Sequence, residues 1–246
     1  MLRRRRLGEA DRIVSLLTPG RGKVDAVAKG VLRPRSKLAG HLEPGTHVEV
    51  VLAHGRSLDV VTQAQTIDAY PDTRGDLDRL GIAMYLVEVT DRLTVDNTDP
   101  AAYELLLAAL VRLNRGDGVH LLARAFEMDL LAEAGLRPQW DACASCGGQV
   151  DSSDLSWSPL AGGVVCRNCR ARYPEASDLD LTTLKVLRAI QRGPYEEAAR
   201  IRLTPALAAA LERVMHALVR TTAERDLASQ RFIEAVRRAS EPAPSE

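Results

Sequence analysis

The sequence predicts an α+β, multidomain protein: an N-terminal OB-type β-barrel, then a helical domain with an inserted four-cysteine zinc finger. Three observations carry that expectation. About five short strands broken by turns fit into the first 70 or so residues. From Asp76 the apolar period changes from two to about 3.6. All four cysteines fall in two C-x2-C pairs, Cys143/Cys146 and Cys166/Cys169, with nineteen residues between the pairs. At 246 residues the chain is long enough for more than one domain. The expected division is a barrel over 1–72, helices over 73–140, the finger over 141–174, further helices over 175–239 and a disordered tail over 240–246.

In chain order, Asp11 to Thr18 is a β-branched and Leu-rich run that ends at Thr18-Pro19-Gly20, and Lys23 to Lys29 alternates after Gly22. The pair reads as two strands joined by a tight turn. Val31 to Gly40 holds Pro34 and three bases and is expected as an exposed loop. Thr46 to Leu52 and Leu58 to Gln65 form a second strand pair around His54-Gly55. A small open sheet packed on the helices is the alternative to a closed barrel.

The helical part begins with Leu77, Leu80, Tyr85, Leu86, Val89 and Leu93 on one broad stripe interrupted by Gly81. Asp99 and Pro100 are expected as N-cap and N1 of a second helix over Ala101 to Leu113, and a third is expected over Val119 to Ala134, closed by Gly135. Beyond the cysteines, Thr182 to Arg192 stops at Gly193-Pro194. Thr204-Pro205 then opens one long segment toward Arg238, and Glu241 to Glu246 reads as disordered.

Charge is distributed unevenly. Met1 to Gly40 carries eleven bases (Arg3, Arg4, Arg5, Arg6, Arg12, Arg21, Lys23, Lys29, Arg33, Arg35, Lys37) against Glu9, Asp11 and Asp25, a net of +8 in a chain whose total is zero. The remainder from His41 therefore holds −8. A solvated face is the bland reading of such a run. The sharper one is a surface for a polyanion, because bases without matching acids lower the cost of approaching phosphates and release counterions. These eleven residues are the candidate nucleic-acid contacts. No Phe, Tyr or Trp precedes Tyr70, so the aromatic platform on which OB-type single-strand binders stack bases is missing. Binding would then rest on phosphate contacts and be salt-sensitive.

Cys143, Cys146, Cys166 and Cys169 have the spacing of one structural tetrahedral Zn2+ site per chain, with Gly147 and Gly148 suited to the turn after the second ligand. The stretch from Leu155 to Val165 reads as a hairpin that brings the second pair back to the first. Two disulfides are the alternative, disfavoured in a chain with no apolar segment of a secretory signal. Four thiolates close the coordination sphere, and His41, His47, His54, His120 and His216 show no paired ligand spacing, so a catalytic zinc is the weaker reading. Arg167, Arg170 and Arg172 either offset the thiolate charge or touch nucleic acid. No phosphate-cradling glycine loop and no nucleophile elbow are present. A non-enzymatic protein is expected, cytoplasmic and nucleoid-associated, with no membrane segment.

Several runs together resemble a known family. Gly8-Glu9-Ala10-Asp11-Arg12-Ile13-Val14, Leu17-Thr18-Pro19, Gly22-Lys23-Val24, Ala26-Val27-Ala28-Lys29-Gly30 and Arg33-Pro34-Arg35-Ser36-Lys37-Leu38-Ala39-Gly40 are similar to the N-terminal signature of RecO, a family of bacterial recombination mediators. Ala125-Phe126-Glu127, Leu130-Leu131 and Gly135-Leu136-Arg137-Pro138, leading into Cys143, extend the resemblance along the chain. It implies binding of single- and double-stranded DNA, strand annealing, and work with RecR to load RecA onto strands covered by single-strand-binding protein. Family members carry residues before the position matching Leu2, which implies either a short first strand here or a gene start upstream of Met1. A zinc-ribbon interaction adaptor, with the basic arm supporting a protein interface, is the alternative from another class.

Overall fold

The structure is a computed structural model that describes residues 1–94, 100–150, 155–223 and 227–240. The chain forms two compact units, one from Met1–Asp117 with the last segment from Leu227 onward, the other from Gly118–Asp226.

In the first unit, β1 (Arg3–Leu7), β2 (Asp11–Thr18), β3 (Gly22–Ala28), β4 (His47–Ala53) and β5 (Asp59–Asp68) form one sheet in the order β1-β2-β3-β5-β4. Only β3 and β5 run parallel; the other neighbours are antiparallel. The Thr18 hydroxyl holds the β2–β3 turn, accepting from the Arg21 N–H and donating to the Gly22 carbonyl, each at 3.0 Å. Met1 joins the two sheet edges. Its carbonyl accepts from Gly45 N and its nitrogen donates to Thr46 O, both at 3.0 Å, so the strand order closes into an OB-type barrel rather than an open sheet. The interior is apolar: Val14, Leu16, Ala26, Ala28, Val31, Leu42 and Val61 are each at most 3% exposed. The run Arg3 to Leu7, four bases and an exposed leucine, shows no apolar alternation, which is why only its pairing with β2 reveals it as a strand.

After β5 come α1 (Pro71–Arg74), α2 (Leu77–Leu93) and α3 (Ala101–Arg115). Asp76 caps α2, its carboxylate accepting from the Asp78 and Arg79 N–H groups. Asn114 of α3 accepts from Asp72 N and Thr73 N, and so caps α1. Pro100 differs from expectation: it stands at the N-cap of α3 with helical φ, one position before N1. The expected cap Asp99 lies outside the described residues.

The second unit holds α4 (Val119–Glu133), β6 (Ser156–Ser158), β7 (Gly163–Val165), α5 (Arg167–Arg170), β8 (Ser177–Asp178), α6 (Leu181–Arg192), α7 (Tyr195–Ala198) and α8 (Pro205–Ala223). Apolar side chains are buried all round α4, which packs on α6, α7 and α8, and Gly135 follows it in left-handed φ. Asp180, not Thr182, opens α6: its carboxylate accepts from Thr183 N at 2.8 Å. Thr204 caps α8, accepting from Leu207 N at 3.2 Å.

The long C-terminal segment is two helices. α8 ends at Ala223, and α9 (Ala228–Ser240) packs against α2 in the first unit. Gly81 is the reason α9 can lie so close. A Cβ there would stand 3.1 Å from Ile233 and 3.5 Å from Phe232. Glu88 on α2 accepts from Ser229 N at 2.8 Å and so satisfies an amide in the first turn of α9. The expected disordered tail from Glu241 lies outside the described residues.

Candidate metal centre and nucleic-acid interface

The four cysteines converge although they come from two distant turns. Cys143 and Cys146 flank a knuckle in which Gly147 N donates to Cys143 O, and Cys143 N to Gly148 O, both at 2.8 Å. Gly147 takes φ +72 there. Cys166 is the N-cap of α5 and Cys169 lies within it. The expected hairpin is present: β6 and β7 pair antiparallel, and β8 adds a third strand on β6. Gln139 is bridged to Gly163, where a Cβ would fall 2.1 Å from the Gln139 carbonyl, so only glycine fits.

All four sulfurs lie within 4.8 Å of one another. The Cys146–Cys166 separation of 3.8 Å matches the edge of a tetrahedron with Zn–S bonds of about 2.3 Å. Burial opposes ionisation of Cys143, yet backbone N–H groups of Cys166, Cys146 and Ser145 bring its thiol down to about 6. Cys146 moves the other way. The Gly148 N–H favours its thiolate, but the three neighbouring sulfurs push it up to about 11. Crowded thiols of this kind ionise together only when a cation offsets their charge, which is the chemistry of a metal-thiolate centre. Four sulfur ligands leave no open position for a substrate.

The centre is anchored from outside the knuckle. Trp140, fully buried, donates its indole N–H to the Met128 sulfur at 3.5 Å, and its carbonyl accepts from Arg188 at 2.8 and 3.0 Å. Asp141 pairs with Arg188 and Arg192 of α6. Arg170 bonds Ser156 and Asp178 and serves the finger's own fold, whereas Arg172 is exposed.

The eleven candidate bases of the barrel separate into two sets. Residues in register share a face, so Arg3 and Arg5 lie beside Ser15 and Ile13 on the outer surface of the sheet. There Arg3 and Lys23 both pair with Asp91 of α2, and Arg5 pairs with Asp25. Lys23, only 13% exposed, also donates to the Asp91 and Thr94 carbonyls. Arg4 pairs with Glu43, and Arg21 with Asp59. These five are ion-paired, to four carboxylates.

The other six have no ion pair among the described residues: Arg6, Arg12, Lys29, Arg33, Arg35 and Lys37. They gather at one end of the sheet. Arg6 stands opposite Arg12, and Arg12 opposite Ala28, next to Lys29. The loop that follows is tied to this end, because Gly30 N donates to Asp11 and Leu32 N to Ala10 O. Val31 and Leu42 anchor it in the core while Arg33, Arg35 and Lys37 stay exposed. Two further points escaped the sequence reading. Arg56, at the exposed β4–β5 tip, is another base without an ion pair among the described residues, and Asp91 is the acid that organises the paired set. Arg56 lies outside the basic run; the Gly55-Arg56-Ser57 turn was its only signal. Tyr70, the first aromatic residue, is buried, so no aromatic face is offered within the barrel.

The comparisons with known proteins agree along the chain. The family model described as Recombination protein O N terminal matches residues 1–70, and Recombination protein O C terminal matches residues 74–231. The chain is 40% identical to a DNA repair protein RecO of Roseiflexus sp. over 99% of its own length and 87% of that relative. It is 35% identical to one of Symbiobacterium thermophilum, covering 97% of this chain and 96% of the relative. A third, from Rubrobacter xylanophilus, is 37% identical over 89% and 88%.

Proposed function

The chain belongs to the RecO family of DNA repair proteins, and on that footing we propose that it is a non-enzymatic recombination mediator. It binds single- and double-stranded DNA through the barrel and anneals complementary strands without ATP. With RecR it helps load RecA onto strands coated by single-strand-binding protein. The observation that carries this reading is the cluster of six unneutralised bases at the loop end of the barrel.

Two strands repel through their phosphates, and a surface of uncompensated bases screens that repulsion and lowers the barrier to encounter. Without exposed aromatic residues in the barrel, the bases of a bound strand are not stacked away and their pairing edges stay free. The cysteine cluster holds one Zn2+ in a structural role. Its four thiolates bind the ion and fix the geometry of the finger; the ion supplies folding energy. No helix among the described residues is long and apolar enough to cross a membrane, and we place the protein in the cytoplasm with the nucleoid.

A fluorescence annealing assay with magnesium and no ATP tests the mechanism. Wild type should anneal complementary strands faster than the protein-free control, and the triple variant Arg33→Ala, Arg35→Ala, Lys37→Ala should lose most of that acceleration. Absence of acceleration by wild type, or acceleration only with ATP, contradicts the proposal. Full annealing by the triple variant would favour the adaptor reading, in which the basic loop has no direct DNA role.

A further inference from the structure

We propose that Cys146 is an oxidation site that, with Cys166 as its resolving partner, opens the metal centre by forming a Cys146–Cys166 disulfide. The inference rests on the zinc reading above, and begins from the inequality of the four ligands. Cys143 and Cys169 are 2% and 4% exposed, Cys166 is half-buried and Cys146 is exposed. Susceptibility of a cysteine to oxidation follows thiolate character and exposure, and a resolving cysteine nearby makes the chemistry reversible. Zinc ligation supplies thiolate character to all four. Exposure singles out Cys146.

Local backbone adds to this. A Cβ on Gly148 would meet the Cys146 sulfur at 3.4 Å. Gly148 thus leaves that sulfur without a side-chain cover on its side. The partner is selected by exposure: of the three neighbouring sulfurs only that of Cys166 belongs to a residue that is not buried. It lies 3.8 Å away, and a disulfide requires about 2.0 Å, so the two sulfurs must close by about 1.8 Å.

The step balances with a peroxide as oxidant. The Cys146 thiolate attacks one peroxide oxygen, the O–O bond breaks, and a sulfenic acid and hydroxide form. The Cys166 thiolate then attacks the sulfenic sulfur, the S–O bond breaks, and a second hydroxide leaves as the S–S bond forms. Two thiolates lose two electrons and one peroxide gains them. Only Cys143 and Cys169 remain as ligands, too few for a closed tetrahedral site. The finger's own apolar cluster, Cys143, Val165 and Cys169, is small, so the finger loosens with the loss of the ion. The barrel core shares no residue with it.

The test uses the full chain, titrated with hydrogen peroxide while a chelating dye reports released zinc and mass spectrometry maps linkages after blocking free thiols. The expected result is loss of one zinc per chain, a first linkage between Cys146 and Cys166, and recovery with dithiothreitol and added zinc. Zinc retained in excess peroxide, a first linkage through Cys143 or Cys169, or irreversible oxidation of Cys146 without a linkage would overturn the proposal. Reduced protein without zinc would sink the metal reading instead, and the linkage map would still decide this one. Because Cys146→Ser disturbs the centre itself, Gly148→Ala is the second variant. It keeps all four ligands, and its methyl group should slow zinc release; a rate equal to wild type would count against the exposed-sulfur route.

Discussion

The barrel and the finger both concentrate chemically active side chains, but they use them in opposite ways. In the barrel, seven buried apolar residues carry the fold, and the bases at the loop end make no ion pair among the described residues, although Arg6 donates to the Gly8 and Glu9 carbonyls of the β1–β2 turn. In the finger the buried apolar cluster is two cysteines and a valine, and the cysteines are themselves candidate metal ligands. The barrel can therefore lose its unneutralised charges without losing its structure, whereas the finger cannot lose its thiolates. On the proposed function, activity is separable from stability in one region and bound to it in the other.

The largest expected effect comes from removing the metal. Chelation, or Cys166→Ser, should unfold the finger, since apparent zinc-binding energies of about 10–16 kcal/mol are folding energy in such sites. Hydrogen exchange should show protection lost over 140–178 and kept in the barrel strands; uniform loss would break the comparison. Next in size is Leu16→Ala, which removes a core side chain 3% exposed and should cost about 2–5 kcal/mol without releasing zinc. Denaturant unfolding with parallel metal analysis checks both halves of that statement.

A smaller effect is expected at Asp180. Replacing this N-cap of α6 by Ala should cost about 1 kcal/mol. Burial raises the pKa of its carboxyl, but the Thr183 hydroxyl and the backbone N–H groups outweigh burial and hold it below the usual aspartate value of 3.8. A carboxylate with a lowered folded-state pKa stabilises above its unfolded value and loses that contribution as pH falls through the folded one. The stability difference between wild type and Asp180→Ala should therefore be constant near neutrality and shrink below about pH 4. A difference that grows in acid would refute the sign.

Much of the metal centre was legible in the sequence because its signal is local: two C-x2-C pairs and the glycines after the first are read within a few residues. The strands of the barrel were legible as short β-branched or alternating runs between turns except β1, whose arginines hide it. The pairing of the bases was not legible. Asp91, which pairs with both Arg3 and Lys23, lies 88 and 68 positions away and is brought to them only by the packing of α2 against the barrel. The break between α8 and α9 was not legible either, and α9 docks on α2, which lies far away in the sequence. Gly81, which reads as a weakness in a helix, is the notch for Phe232 and Ile233.

The division of the barrel's bases into neutralised and unneutralised sets is the central claim, and a salt titration of DNA binding tests it most directly. Labelled single-stranded and duplex DNA would be titrated against wild type, against Arg33→Ala/Arg35→Ala/Lys37→Ala, and against Arg3→Ala/Arg5→Ala. The loop variant should bind both DNAs more weakly, with a log–log salt slope shallower by about 2–3, since each lost phosphate contact removes about 0.7–0.9. The Arg3/Arg5 variant should keep a slope within about one contact of wild type, because Asp91 and Asp25 already neutralise those charges. Equal losses from both variants, or binding insensitive to salt, would contradict the account.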